Sequence, residues 1–248
     1  MATSSPVALI LGAGANVGQH VGRALAAKGY KIAFAARSAK EEDSTPTQLL
    51  IRGDFADPTS IASIFEKVKS QLGPPQVVVY NGLTQLAPMV DVDKDIDLSK
   101  IAAAVTINDA NDPLSLTLDN FTRHLAVNTT GAFAAAQQAI IAFGELPNSA
   151  PRTFIYTGNC LNVAPMVQFL DLGVGKSATA YIIQVAAEAY ASKGYRFYYA
   201  DQRQADGSPA NNNIDGPAHA ELYAQLVETG PQGPWQQTFV KGQGYTKF

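Results

Sequence analysis

The hydrophobic positions of this chain fall into short apolar runs separated by segments of helical period. Runs over 7–11, 31–35, 48–52 and 76–80 have strand length; the first is wholly Val, Ala, Leu and Ile, and the last is continuous apolar sequence after Gln76. That is the pattern of strands buried on both faces of a parallel sheet. Between them, 19–28 and the stretch opened by Asp57-Pro58-Thr59 repeat apolar residues at helical spacing, with a proline in the first turn of the second. Ile61, Ile64, Phe65 and Val68 share one face of that helix and read as core. The alternation resumes with a long helix over about 117–143, a strand over 152–157, a helix over 171–191 and an aromatic strand over 195–199. A helix over 218–228 and a last strand over 237–241 complete the set. About seven strands with helices on both faces predict an α/β fold, a single doubly wound parallel sheet spanning residues 1–248.

Two stretches break the rhythm. Residues 85–112 carry Asp91, Asp93, Asp95 and Asp97 but lack the glycine and terminal glutamate of a calcium loop, so they read as a solvated flap. Residues 201–216, with three consecutive asparagines, read as a polar loop placed to meet a substrate. The first strand runs into Gly12-Ala13-Gly14-Ala15-Asn16-Val17-Gly18, and this turn opens directly into a helix. Strand, glycine turn and helix together form the setting of a dinucleotide-binding fingerprint. Gly12 allows a sharp turn, Gly14 leaves room for a pyrophosphate, and Gly18 lets the helix pack close. The helix N-terminus beginning at Asn16 and Val17 offers N–H groups to phosphate.

The residue after the second strand faces the adenosine ribose in such folds, where an acid selects NAD. Here Ala36 is followed by Arg37, whose guanidinium suits a 2′-phosphate, so NADP is favoured over NAD; otherwise Arg37 is an exposed loop charge. Asp54 either accepts from the adenine amino group, with Phe55 over the ring, or shapes its turn. Asn128, in the middle of an apolar helix, marks either a kink with a bound water or an asparagine bonded to a neighbouring loop.

Composition narrows the partners. Apolar residues make up 46% and charged residues 16%, with a formal charge of −3 and no basic cluster. This argues for a small-molecule substrate and against nucleic acid or an anionic membrane. No apolar run is long enough to span a bilayer and no secretory signal is visible, so a cytoplasmic location is expected. The single cysteine, Cys160, excludes an internal disulfide and reads as a small buried residue. The three histidines show no metal-ligand spacing, and no metal is expected.

With these residues placed, the whole chain resembles a short-chain dehydrogenase/reductase. The family's glycine motif matches Gly12 and Gly18, with Asn16 in place of the middle glycine. Its adenine-side acid matches Asp54, its Asn-Asn-Ala-Gly element survives as Tyr80-Asn81-Gly82, and its helix asparagine matches Asn128. The resemblance implies that Asn81 and Gly82 border the cofactor and that Lys176 holds its ribose. It also implies pairing into a dimer or tetramer through the helices over 117–143 and 171–191.

The departure is at the reactive end. The family's proton-donating Tyr lies four residues before the Lys, and its carbonyl-binding Ser thirteen residues earlier. Those positions are Leu172 and Asn159, and Asp201-Gln202-Arg203 stands where a Pro-Gly turn is usual. Leucine has no proton to give, and an amide donates a hydrogen bond but does not titrate near neutrality. The catalytic candidates are therefore Lys176, Asn128 and Asn159. Tyr156, Tyr181, Tyr198, Asp171 or a water chain are the possible proton sources. The expected activity is an atypical NADP-dependent reduction of a small carbonyl or imine. The alternatives are an inactive NADP-binding sensor or a non-redox isomerase or cyclase.

Overall fold

The computed structural model describes residues 5–82, 107–228 and 230–248. Strands β1 (Val7–Leu11), β2 (Lys31–Ala36), β3 (Gln48–Arg52) and β4 (Val77–Tyr80) alternate with helices α1 (Val17–Ala27) and α2 (Pro58–Gln71). Next come α3 (Leu118–Leu125), α4 (Ala132–Gly144), β5 (Thr153–Thr157), α5 (Leu170–Tyr190), β6 (Arg196–Arg203), α6 (Gly216–Glu228), β7 (Gln236–Val240) and β8 (Gly244–Tyr245). The sheet order is β3-β2-β1-β4-β5-β6-β7-β8. Pairing is parallel throughout except for the added hairpin between β7 and β8.

Side-chain alternation along β1 divides the core. Val7, Leu9 and Leu11 face α2, α4 and α5, while Ala8 and Ile10 face α1 and α6. The predicted core face of α2 is buried as expected, and Asp57 caps that helix by accepting from the Thr59 N–H at 2.8 Å. Three tyrosines in register, Tyr80, Tyr156 and Tyr199, form a row across β4, β5 and β6. Their rings stack at 5.8 and 5.5 Å.

Two expectations change. The long helix predicted over 117–143 is divided by a π-helical turn at Ala126–Gly131, with Asn128 inside it. The polar loop predicted from 201 starts later, because β6 continues through Arg203 and buries Asp201, Gln202 and Arg203. Most of the expected flap over 85–112 lies outside the described residues. Its described end is loop, tied to the rest where the Asn108 N–H donates to the Gln168 carbonyl.

Candidate active site

The strand order reverses between β1 and β4: the sheet grows outward to β3 on one side of β1 and to β8 on the other. Ligands in doubly wound sheets sit at the carboxyl ends of the strands at this switch point. Gly12 lies there with φ +101°, and a Cβ on it would come within 2.3 Å of the Asn81 carbonyl. Asn81 locks the turn: its backbone N–H donates to Leu11 O and its Nδ2 to Gly12 O, both at 2.7 Å. Gly18 is held equally close, 2.5 Å from Gly12 O for an added Cβ. Around Gly14 a Cβ would meet nothing within 4 Å. The three glycines therefore take the turn, the open space and the close packing that their spacing implied.

No side chain caps α1, whereas Asp57 caps α2 and Thr117 caps α3. Asn16 instead sends its Nδ2 outward to the Ile214 carbonyl at 2.8 Å, tying the glycine turn to the loop after β6. In the first turn of α1 the Gln19 N–H donates to the Gly14 carbonyl at 3.0 Å, and no side chain caps the N–H groups of Val17 and Gly18, which lie at the positive end of the helix dipole.

The flanking candidates divide. Arg37 is exposed at the end of β2. Asp54 is exposed and its Oδ1 accepts from the Ala56 N–H at 3.1 Å, so it closes its own turn. Phe55 does not lie over a ligand face: it is buried among the core residues, its ring 5.8 Å from that of Tyr80. Gly82 packs against Tyr80, whose ring carbon an added Cβ would meet at 2.6 Å.

A second recess, a cleft with a cavity volume of about 50 Å³, opens past the ends of β5 and β6. Met166, Phe169, Leu172 and Ile214 form apolar walls, and Asn159, Lys176, Gln202 and His219 supply polar groups. Asn159 caps the short 3-10 turn that follows it by accepting from the Leu161 N–H at 3.0 Å, which leaves its amide NH₂ as the donor. Leu172 is buried with Cys160 and Leu161, so the position one turn before Lys176 is apolar in space as well as in sequence. Cys160 is buried, and burial raises its thiol pKa.

Lys176 is buried, its Nζ donating to the Thr157 carbonyl at 3.0 Å and lying 4.5 Å from the centre of the Tyr156 ring. Burial pushes its pKa down to about 7, with the charge of Asp201 opposing. Asp201 is pushed up to about 6 by burial, against the pull of Arg203, whose Nε reaches its carboxylate at 2.6 Å. His219 donates from Nδ1 to the Asp215 carbonyl at 2.8 Å, and burial lowers its pKa to about 4. It is therefore neutral at pH 7.

Asn128 is fully buried and borders this region from behind, its Nδ2 donating to His124 O at 3.3 Å. Its carbonyl accepts from Tyr156 Oη at 3.3 Å and from Thr179 Oγ1. The possible phenolic donors point elsewhere. Tyr156 is engaged by Asn128, Tyr181 is 70% exposed, and the Tyr198 hydroxyl accepts from the Gly233 N–H. Asp171 is buried 3.4 Å from His124.

Gln202 lies within the stretch 201–216 expected to meet a substrate, whereas His219 was not expected in the cleft. Gln202 was signalled by the missing Pro-Gly turn; His219 lies at helical spacing in an otherwise apolar run and carried no signal.

Residues 6–149 match the model of the short chain dehydrogenase family. A short chain dehydrogenase/reductase of Cryptosporiopsis sp. is 45% identical over 99% of this chain and 96% of its own. Among solved structures, a 3-ketoacyl-(acyl-carrier-protein) reductase from Brucella melitensis complexed with NADH superposes with a TM-score of 0.73. It shows 15% identity and covers 96% of this chain and 98% of its own. A metagenomic short-chain oxidoreductase in complex with NADP gives a TM-score of 0.70 and 15% identity, covering 97% and 99%. With a fold, a glycine turn and a full-length relative in agreement, the chain belongs to the short-chain dehydrogenase/reductase family.

Proposed function

We propose that this protein is an NADP-dependent oxidoreductase with a rebuilt proton-transfer site, acting on a small carbonyl or imine. The observation that carries this reading is the glycine turn beside an uncapped α1. Its geometry fits a pyrophosphate, because space is open only where a phosphate must approach and is closed at Gly12 and Gly18. Gly14, Asn16, Val17 and Gly18 would hold the pyrophosphate, Arg37 the 2′-phosphate, and Asn81 and Gly82 the adjoining wall. Asp54 would accept from the adenine amino group through its exposed carboxylate, of which Oδ1 also closes the local turn.

When bound, the reduced nicotinamide supplies a hydride to an electrophilic carbon. The chain's own residues then position the acceptor. Asn159 offers an amide donor to a carbonyl oxygen, and the apolar walls exclude water and favour a substrate body without charge. Leu172 presses on the same space, so the pocket accepts an apolar group where relatives of this family present a phenol.

We further propose that the protein is cytoplasmic and pairs with copies of itself through α4 and α5. Phe133, Ile141, Val174, Tyr181 and Val185 leave apolar surface exposed on these helices. Among the described residues no helix is long and apolar enough to cross a membrane.

The test is consumption of NADPH by purified protein across panels of aldehydes, ketones and cyclic imines, followed by the loss of reduced-nicotinamide absorbance. Turnover on at least one class is expected. Tight NADPH binding with no consumption on any panel would replace this reading with that of a coenzyme-binding partner protein.

A further inference from the structure

One departure from the family pattern remains without a role: a charged triplet, Asp201-Gln202-Arg203, replaces an uncharged turn in the same chain that has lost its tyrosine and serine. The structure brings the two changes together. β6 buries Asp201 and Arg203, and the Asp201 charge favours the protonated form of Lys176, which lines the cleft with its Nζ on the Thr157 carbonyl at the end of β5.

Lys176, Cys160 and His219 line the cleft. From β5, Tyr156 presents its ring face to Lys176 and turns its hydroxyl to Asn128. From β6, Tyr199 is bound at both ends of its hydroxyl by Asn159, accepting from its N–H at 3.2 Å and donating to its carbonyl at 2.8 Å. From α6, the Tyr223 hydroxyl is bound to Thr157 Oγ1 at 2.8 Å. His219 is held neutral, and the Cys160 thiol is shifted away from ionisation. Asp201 and Arg203 are bound to each other. Of these groups, Lys176 alone combines a place on the cleft wall with a proton to release near neutral pH.

We propose that the ammonium of Lys176 is the proton donor of this enzyme, with Asp201 as the positioning residue that keeps it protonated. The inference rests on the oxidoreductase reading above. In the step, the carbonyl carbon gains a C–H bond, both electrons of which come from the reduced nicotinamide as that is oxidised. The C=O π pair moves to oxygen, which takes a proton from Nζ. A neutral amine remains and regains its proton from solvent. Burial makes the ammonium acidic enough to act, and the Asp201 charge keeps it from losing its proton too early. Arg203 in turn limits how far Asp201 itself takes up a proton.

Two independent readouts test this. The first is activity against pH. The rate depends on the ammonium, so kcat/KM falls as pH rises through about 7. Asp201→Asn removes the charge that supports the ammonium, so the fall moves to lower pH. Lys176→Met and Lys176→Arg each lose on the order of 10²–10⁴-fold in kcat, the arginine because it keeps charge but does not release a proton at neutrality.

The second readout needs neither coenzyme nor substrate. The folded-state pKa of Lys176 is depressed below its unfolded value of 10.5, so between pH 7 and about 10 the unfolded chain binds more protons than the folded one. Stability from this group therefore rises with pH across that window. Lys176→Met abolishes the rise in denaturant unfolding.

A wild-type stability that does not rise from pH 7 to 9 contradicts the proposal. So do Lys176 variants that turn over at the wild-type rate with an unchanged pH profile, although the oxidoreductase reading then stands. A wild-type protein that consumes no coenzyme on any panel overturns both.

Discussion

Arg37 stands exposed at the end of β2, beside the place where a dinucleotide fold holds the adenosine ribose. An exposed guanidinium can pair with a phosphate in two parallel hydrogen bonds, and such charge-assisted pairs are about twice as strong as neutral ones. Arg37→Asp is expected to weaken NADPH binding by about 10–100-fold, because it removes an attraction and adds a repulsion. NADH binding should change little, and competition measured by coenzyme fluorescence checks the difference. Equal losses for both coenzymes would show that Arg37 does not read the 2′-position. The residues of the glycine turn were legible in sequence because each role reflects missing atoms, and the missing atoms are visible as Gly. Phe55 was misplaced for the opposite reason. An aromatic ring after a strand fits a ligand face and a core equally well, and only the position of Tyr80 decides for the core.

At the level of elements, the π turn at Ala126–Gly131 is the most informative departure from regular structure. A π turn shifts the backbone hydrogen-bond ladder and leaves carbonyls in need of other donors. The tyrosine row supplies them: Tyr80 Oη donates to Val127 O at 2.6 Å, and Tyr156 Oη to Asn128 O at 3.3 Å. Thr179 on α5 donates to the same Asn128 carbonyl. Gly175 lets α5 approach so closely that an added Cβ would lie 2.8 Å from Asn128 Cβ. Thr179→Val keeps the shape and removes a buried donor, so a loss of about 1–2 kcal/mol in denaturant unfolding is expected. A variant as stable as the wild type would mean that Tyr156 alone satisfies the turn. The sequence signalled a kink at Asn128 through its poor helix propensity, but not the bond pattern, which depends on side chains of β4, β5 and α5. Likewise the length of β6 was hidden because Asp201, Gln202 and Arg203 look like loop residues. They remain in the sheet because β7 pairs with them and Arg203 answers the charge of Asp201.

Across the whole molecule, the strand order and the two faces of the sheet follow from apolar runs of strand length separated by helices, which is why the fold was readable from one chain. The site is less readable, because it is assembled from the ends of β1, β2, β4, β5 and β6 and from a loop that Asn16 ties to the glycine turn. This arrangement separates two regions: a glycine turn at the β1–β4 switch point, which we propose holds the dinucleotide, and a cleft past β5 and β6, which we propose holds the substrate, lined by Leu172, Asn159 and the buried Lys176. Every role proposed for the cleft depends on coenzyme binding at that turn. The most direct measurement is a calorimetric titration of the wild-type protein with NADPH and, separately, with NADH. Saturable binding of NADPH, tighter than that of NADH, is the predicted result; no detectable heat with either coenzyme across the accessible concentration range would contradict the account.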